Sequence, residues 1–178
     1  MEVVESDVLV IGGGGAGAMA ALKASDNGSK VCIVIKGGFN KCGSTPMAMG
    51  AASAVGPWHS PDDSKEIHFM DTVKGGEYLN KQKLVRILVE EAPERVLELE
   101  RLGAFWERTD NGENYLLRIG GGHSYPRSVY LEDRPGSEML KAMKGELIHR
   151  NVNLIENVMI TTLLTDEDRV SGAFSLVL

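Results

Sequence analysis

The chain has 178 residues, a formal net charge of −6 and an apolar fraction of 43%. This length suits one domain, or one domain with a piece of another, and the apolar content excludes wholesale disorder. The acidic balance and the scattered Lys and Arg residues argue against a general nucleic-acid binder, which would show a clustered basic face.

No apolar run approaches the roughly 18 residues that span a bilayer, and the N-terminus lacks the basic flank of a signal peptide. We therefore expect a cytoplasmic protein. The two cysteines, Cys32 and Cys42, suit a reducing compartment, and two thiols cannot hold an iron–sulfur cluster. The four histidines show no metal-ligand spacing, so we expect no metal site. They are His59, His68, His123 and His149.

The N-terminal segment follows the pattern of a strand, a turn, a helix and a second strand. The run VLVI at 8–11 fits a strand buried on both faces of a parallel sheet. After four glycines, the small side chains of 16–24 indicate a helix that ends at Asn27 and Gly28, since Gly suits a left-handed cap. Residues 31–35 indicate the second strand. This order over about 30 residues predicts a βαβ unit with a right-handed crossover.

The stretch KCGSTPMAMGAASAV, residues 41–55, matches neither kind of element. It is too rich in Gly, Ser and Pro for a helix, and its side chains are too small for a core strand. A long and nearly uncharged surface of small side chains suggests that something large and flat lies against it. The polar, Pro-containing residues 57–63 predict irregular chain.

Helical spacing of apolar residues returns at 81–102, where Pro93 predicts a kink or two abutting helices. The tripeptide DNG at 110–112 predicts a turn between two short extended pieces. The sequence GGGHS at 120–124 predicts a second glycine-rich loop.

The C-terminal part of the chain predicts a helix at 138–149, followed by strands at 153–164 and 170–178. We expect these strands to form a small antiparallel meander around the charged turn 166–169. The chain ends on the apolar SLVL, and a domain seldom ends inside a core strand. We therefore expect a piece of a longer polypeptide, with a natural edge strand as the alternative.

Gly12-x-Gly14-x-x-Gly17 matches the dinucleotide fingerprint, and it lies where the fingerprint must lie, between a strand and a helix. The first glycine permits a tight turn, the second lets backbone approach a pyrophosphate, and the third lets helix and strand pack closely. The helix N-terminus then offers free N–H groups and a partial positive charge to the phosphates. A merely flexible turn would not explain this spacing.

The second strand bears on which dinucleotide is bound. An NAD site usually carries Asp or Glu about 20 residues after the glycines, where it bonds the ribose. Here Ile35 and Lys36 occupy that place, which counts against NAD. Lys36 keeps NADP open, since it could meet a 2′-phosphate or be an ordinary surface lysine. The smooth stretch at 41–55 favours FAD, whose flavin ring must lie along protein backbone.

Five motifs in this order resemble the flavoprotein subunits of succinate dehydrogenase and fumarate reductase, and relatives such as L-aspartate oxidase. The first motif is shared by many flavoproteins, whereas the order and spacing of all five are more specific. They are DVLVIGGGGAG at 7–17, GSTPMAMGA at 43–51, DTVKG at 71–75, GGHS at 121–124 and DRPG at 133–136. The resemblance implies a Rossmann-like α/β FAD-binding fold with a parallel sheet, and we expect residues 1–178 to form a single FAD-binding domain.

The resemblance also implies which residues bind FAD. Ile35 and Lys36 would contact the adenosine half mostly by backbone, and Ser44 to Ala51 would run along the flavin ring. Small residues there let backbone N–H groups reach the ring edge. The full implied set is Gly12, Gly13, Gly14, Gly15, Ala16, Gly17, Ile35, Lys36, Gly43, Ser44, Thr45, Ala48, Met49, Gly50 and Ala51.

The chain departs from the family pattern at several positions. Many members attach FAD covalently through a histidine just before the threonine of the flavin loop, and this position is Ser44 here. We therefore predict non-covalent FAD, with a bond through Cys42 as the alternative. The usual Gln or Glu near Met49 and the glycine at Ala51 are also altered. Aspartate oxidases tend to carry Glu where this chain has Gly120, which favours the dicarboxylate oxidoreductase branch.

The resemblance implies hydride transfer between a C4 dicarboxylate and flavin N5, which requires cationic clamps and a proton donor. In relatives these residues lie in a capping domain, so we assign no catalytic residue within this chain. His123 and Arg127 are the nearest candidates, and we expect both to structure the loop beneath the flavin instead.

In the family, electrons pass to an iron–sulfur protein of the same complex, and other chains anchor the assembly to a membrane. We expect such partners, a possible homo-oligomer, no direct membrane insertion and no nucleic acid. Three alternatives stay open: an L-aspartate oxidase-like flavoenzyme, a non-catalytic dinucleotide-binding module, and an NADP-dependent reductase that rests on Lys36 alone.

Overall fold

The structure is a computed structural model that describes residues 3–50 and 52–178. The chain divides into two compact units, one formed by the segment up to Met47 together with Met139–Leu178, the other by Ala48–Glu138. The elements in chain order are β1 (Val8–Ile11), α1 (Gly15–Asp26), β2 (Val31–Val34), β3 (Ala52–Ser53), α2 (Lys65–Gly75), α3 (Gln82–Arg101), β4 (Leu117–Arg118), β5 (Ser128–Val129), α4 (Pro135–His149), β6 (Asn153–Ile155), β7 (Val158–Asp166) and β8 (Arg169–Val177).

The first unit contains the predicted βαβ unit, and the α/β fold class with its parallel sheet is confirmed. Strands β1, β2 and β6 pair in parallel in the order β1-β2-β6, and every residue of the central β2 is buried. Helix α1 ends at Asp26 with Asn27 as its C-cap, and Gly28 follows at a φ of +83°. The left-handed conformation predicted for this glycine is therefore present.

The C-terminal strands differ in one respect from the predicted meander. The first predicted strand divides in two around Asn157, whose φ is +59°. Its first part, β6, joins the parallel sheet, and its second part, β7, pairs with β8 as an antiparallel hairpin. The antiparallel part of the C-terminus thus has two strands around the predicted charged turn.

The second unit contains the helices α2 and α3 and a small antiparallel sheet in the order β3-β5-β4. Helix α3 continues through Pro93, so the alternative of two abutting helices is wrong. Helix α2 was not predicted. Its signal is Ser64, the N-cap residue, whose hydroxyl accepts a hydrogen bond from the Ile67 N–H at 3.2 Å. The two helices share an apolar core of Val73, Val85 and Val89, against which Phe69 packs.

The predicted turns are present. Gly112 in the DNG turn has a φ of +71°, and the chain pairs as a β-bridge between Arg108 and Tyr115. Gly122 in the second glycine-rich loop has a φ of +78°. Residues 41–50 form neither helix nor strand, as predicted, although Ala52–Ser53 near the end of the smooth stretch make a two-residue strand.

Over the two described ranges, no helix combines the length and the apolar character needed to cross a bilayer.

Candidate functional site

The glycine turn lies at the carboxyl end of β1, where open α/β sheets bind their ligands. The turn begins at Gly12, whose φ is +106°, a backbone conformation that residues other than glycine rarely adopt. A Cβ atom at Gly17 would overlap the carbonyl oxygen of Gly12. Gly17 therefore has to be glycine for the first turn of α1 to lie directly against the fingerprint loop.

The absence of a side chain at Gly13 leaves room for two side chains that pack against the glycine turn. A Cβ atom there would lie 2.6 Å from Cδ1 of Ile35 and 3.1 Å from Cδ2 of Phe39. Both supporting side chains are buried. The backbone of Ile35 is also occupied, because its N–H donates to Ile155 at 2.8 Å and its carbonyl accepts from Val158 at 3.0 Å. In this structure Ile35 supports the glycine turn by packing.

A cleft of about 170 Å³ opens at the same edge of the parallel sheet. Its polar feature is Lys36, which follows the buried β2 strand and is exposed. The cleft is lined by Ile11, Gly12, Val34, Lys36, Val158, Met159 and Ile160. Its mostly aliphatic walls suit a flat apolar ring better than a highly charged group.

The N-terminus of α1 has the features of an anion-binding site. The first helical turn, which lies wholly within the described residues, carries no acidic side chain. The Gly15 N–H donates to Oγ1 of Thr45 at 3.1 Å, which holds the loop after Gly43 against the helix N-terminus. The N–H groups of Ala16 and Gly17 precede the first intrahelical hydrogen bond, which Ala18 donates to Gly14, and they lie at the positive end of the helix dipole. A pyrophosphate is a ligand that such an arrangement binds.

The sequence-predicted residues fall into two groups. The first unit contains most of them: the glycine turn from Gly12 to Gly17 with Ala16, the pair Ile35 and Lys36, and the segment Gly43, Ser44 and Thr45. Ala48, Met49 and Gly50 belong to the second unit and are exposed, and Ala51 lies outside the described residues.

The second unit holds a buried ion cluster that sequence reasoning did not find. Arg127 is fully buried, and its guanidinium donates from Nε and Nη2 to the two carboxylate oxygens of Asp63, both at 2.8 Å. Its Nη1 donates to Asp71, also at 2.8 Å. Asp71 accepts further bonds from the N–H and Oγ of Ser124 at 2.8 and 2.7 Å. We call these four residues the Arg127 cluster.

The Arg127 cluster explains the role of Arg127 and the properties of Asp71. Both sides of the guanidinium are engaged by aspartates. Because Asp71 of α2 also binds Ser124, the cluster links α2 to the loop at 120–124. Burial would raise the pKa of Asp71, but the hydrogen bonds from Ser124 and Arg127 outweigh it and hold this pKa below its usual range.

Two histidines lie beside this cluster. His68 is 2% exposed, and its ring centroid lies 5.9 Å from that of His123 in an edge-to-face arrangement. Burial, and next the nearby Arg127 charge, lower the pKa of His68 to about 4. The pKa of His123 is lowered too, by burial and then by Arg127. His123 accepts from the Gly120 N–H at 3.3 Å, which fixes the glycine-rich loop locally.

We expect the stability of the protein to fall in mild acid because of His68. The pKa of His68 is about 4 in the folded state, lower than the usual 6.5, so between these two values the unfolded chain binds a proton that the folded protein does not. The free energy of unfolding is therefore highest above pH 6.5 and falls as the pH is lowered toward 4. The free energy of unfolding should drop by about 2 kcal/mol between pH 7.5 and 5. Urea denaturation at the two pH values measures this drop.

The matched variant is His68→Phe, which keeps a buried ring and removes the titration. Its drop between the two pH values should be clearly smaller than that of the wild type. Equal drops in both proteins would contradict the assignment to His68.

No local signal could have located the Arg127 cluster. Asp63 and Asp71 lie 64 and 56 residues before Arg127 in the sequence, and only the fold brings them together. A single buried arginine looks in sequence like any exposed one.

The chain is similar to known proteins in sequence and in structure. The sequence model of a family described as FAD binding domain matches residues 7–176. The chain is 45% identical over 177 residues to one component of the fumarate reductase (CoM/CoB) of Methanothermobacter marburgensis, covering 98% of this chain and 32% of that protein. It is 34% identical over 163 residues to L-aspartate oxidase 2-a, chloroplastic, of Nicotiana tabacum, covering 91% of this chain and 24% of that protein.

Among solved structures, the chain is similar to Mycobacterium smegmatis Sdh1 in complex with UQ1, with a TM-score of 0.91 and 34% identity. The match covers 98% of this chain and 31% of that one. It is also similar to the E. coli quinol fumarate reductase FrdA with the E245Q mutation, with a TM-score of 0.87, 27% identity and coverage of 99% and 30%. The chain thus spans about a third of the length of the proteins it matches.

Proposed function

The chain belongs to the FAD binding domain family, and from this premise we propose that residues 1–178 act as one FAD-binding domain of a succinate dehydrogenase or fumarate reductase type of flavoprotein. The observation that carries the proposal is the glycine turn at the carboxyl end of β1. It packs closely against neighbouring residues at Gly13 and Gly17, and the Gly15 N–H joins it to Thr45. When bound, FAD supplies a flavin ring that takes up or releases a hydride.

The residues present fit this cofactor. The turn from Gly12 to Gly17 would hold the pyrophosphate. Glycine at positions 13 and 17 lets Ile35, Phe39 and the first turn of α1 pack closely against it, which keeps the helix N-terminus beside the turn. The cleft beside Lys36 would hold the adenosine half. The segment from Gly43 to Thr45, and further residues through Ala51, would lie along the flavin. We thus propose that the FAD-binding residues predicted from the sequence bind the cofactor in these three places.

We propose that the substrate is a C4 dicarboxylate and that a further domain supplies the groups that clamp its two carboxylates. The buried state of Arg127 supports this division, since its guanidinium already binds Asp63 and Asp71 and cannot bind a substrate as well. We assign no catalytic residue within residues 1–178.

The dicarboxylate branch is favoured over an L-aspartate oxidase by Gly120. A Cβ atom at this position would lie 2.9 Å from Cε1 of His123, so a glutamate side chain could enter only if the imidazole moved. The position of the His123 ring therefore fits the glycine that distinguishes this chain from the oxidase pattern.

We also propose electron transfer to a partner protein carrying iron–sulfur clusters, with membrane association through partner chains. The similarity to Sdh1, a protein that was solved in complex with UQ1, supports an electron-transfer role.

The test of the proposal is ligand binding by the purified protein. FAD at about 100 times its dissociation constant should add about 2.7 kcal/mol to the stability and raise the melting temperature by roughly 5–10 °C. NADP and riboflavin at the same concentration should give clearly smaller shifts than FAD, because the first lacks the flavin and the second lacks the pyrophosphate and adenosine. After acid precipitation the visible flavin band should stay in the supernatant, since Ser44 offers no imidazole for a covalent link.

Several results would contradict parts of the proposal. Stabilisation by NADP and not by FAD would favour the reductase alternative. A flavin band in the acid pellet would indicate a covalent bond, with Cys42 as its first candidate. Fumarate should not reoxidise the reduced, FAD-loaded chain without a further domain, and rapid reoxidation would show that the chain carries its own substrate site.

A further inference from the structure

The loop between β2 and the Thr45 segment is held from the far end of the sequence. Oε1 of Glu156 accepts a hydrogen bond from the Phe39 N–H at 2.6 Å, across 117 residues of chain. Glu156 directly follows β6, the third strand of the parallel sheet. The carboxylate therefore fixes the loop at the edge of the sheet where the glycine turn lies.

Backbone hydrogen bonds from the two residues that follow Glu156 align the strand with the loop. The Asn157 N–H donates to the carbonyl of Gly37 at 3.2 Å, and the Val158 N–H donates to Ile35 at 3.0 Å. These bonds fix the first part of the loop as far as Gly37. Beyond that point, the Glu156 side chain binds the loop at Phe39.

Two lysines accompany the carboxylate. Nζ of Lys144 lies 3.6 Å from Oε1 of Glu156 and 5.7 Å from the centroid of the Phe39 ring. The Phe39 N–H, and then the charges of Lys144 and Lys41, hold the pKa of Glu156 below its usual range. Glu156 is thus a charged acceptor at neutral pH, and hydrogen bonds to charged acceptors are stronger than neutral ones.

Phe39 connects this bond to the phosphate-binding turn. Its side chain is 3% exposed, and its Cδ2 atom lies 3.1 Å from the position that a Cβ atom of Gly13 would occupy. Phe39 and Ile35 together form the floor of the turn at Gly13. A shift of the Phe39 backbone would therefore move the surface on which Gly13 rests.

We propose that Glu156 is a positioning residue for FAD: by binding the Phe39 N–H it fixes the floor under Gly13 and so the backbone that receives the pyrophosphate. The inference rests on the proposed function of the glycine turn. It names a residue outside the fingerprint and about 140 positions away from it, and it requires an acceptor at the reach of the glutamate side chain.

The test compares four variants with the wild type. Glu156→Ala removes the acceptor, Glu156→Asp keeps the charge but shortens the reach, and Glu156→Gln keeps an acceptor of the same length. Asp168→Ala, at an exposed residue of the β7–β8 turn, is the matched control. FAD affinity is measured by titration of flavin fluorescence, and amide hydrogen exchange at Phe39 and Gly13 is measured without FAD.

We expect the Ala and Asp variants to bind FAD about fivefold to tenfold more weakly. This is less than the full value of a hydrogen bond to a charged group, because Glu156 acts on FAD only through Phe39 and Gly13. The Gln variant keeps a weaker, neutral acceptor and should fall between the wild type and the Ala variant, whereas Asp168→Ala should stay within about twofold of the wild type. Exchange at the Phe39 and Gly13 amides should quicken most in the Ala and Asp variants.

The outcomes separate this inference from the proposed function. Wild-type affinity and exchange in both the Ala and Asp variants would overturn the inference while FAD binding stands. A wild type that does not bind FAD would overturn the proposed function, and with it the cofactor role of Glu156. A lower melting temperature with unchanged FAD affinity would show that Glu156 serves stability alone, which also overturns it. Should Glu156→Ala fail to fold, the Asp and Gln variants decide the question by themselves.

Discussion

Gly17→Ala is expected to weaken FAD binding by more than about tenfold and to lower the free energy of unfolding by about 3 kcal/mol. The added Cβ would overlap the carbonyl oxygen of Gly12, which is backbone and cannot rotate away as a side chain would. Helix α1 would have to move off the fingerprint turn, and its N-terminus would move away from the phosphate site. Titration with FAD and urea denaturation measure the two effects.

The matched control is Gly145→Ala, in helix α4. Outside the helix's own backbone, no described heavy atom lies within 4 Å of the Cβ position at Gly145, so the space is open. A Gly-to-Ala change inside a helix should raise the stability by about 0.5–1 kcal/mol and leave FAD affinity unchanged. If Gly17→Ala bound FAD as well as this control does, the close approach of helix and turn would have no role in binding.

Arg127→Met is expected to lower the free energy of unfolding by about 3–5 kcal/mol, because it leaves two aspartates without their cation. The side chains of Arg127 and Asp63 are fully buried, and that of Asp71 is 9% exposed. Water cannot solvate carboxylates at these positions as it does at the surface. Urea denaturation at neutral pH measures the loss.

The control for this variant is Arg134→Ala, whose side chain is 60% exposed and lies 3.1 Å from Glu132. An exposed pair of this kind contributes less than about 1 kcal/mol. Adding Asp63→Asn and Asp71→Asn to Arg127→Met should restore part of the lost stability, since the uncompensated charges are then gone. Equal stabilities of Arg127→Met and Arg134→Ala would contradict the account of the buried cluster.

The parts of the fold that could be predicted are those whose signals are local. The βαβ unit follows from an apolar run, a glycine fingerprint and a cap glycine at Gly28, all within neighbouring residues. Helix α3 was predicted from its apolar spacing, but the effect of Pro93 was overestimated. Packing of Val85, Val89 and Val96 holds the helix continuous although one backbone donor is missing.

Features that depend on distant contacts could not be read from one sequence. The aspartates around Arg127 and the acceptor for the Phe39 N–H lie between 56 and 117 residues from their partners. Glu156 and Asp63 stand among many other acidic residues, and nothing in their immediate neighbours marks them. In the candidate site, the fingerprint and Thr45 were predicted, whereas the support under Gly13 by Phe39 was not.

The strand order β1-β2-β6 has a consequence for synthesis on the ribosome. Val34 in β2 pairs with Ile155 in β6, so about 120 residues must be translated before the sheet gains its third strand. At about 5–20 residues per second this delay lasts roughly 6–25 s, during which one edge of the buried central strand has no partner. A nascent chain in that interval exposes an open β-edge, and a chaperone that covers it would protect the protein from aggregation.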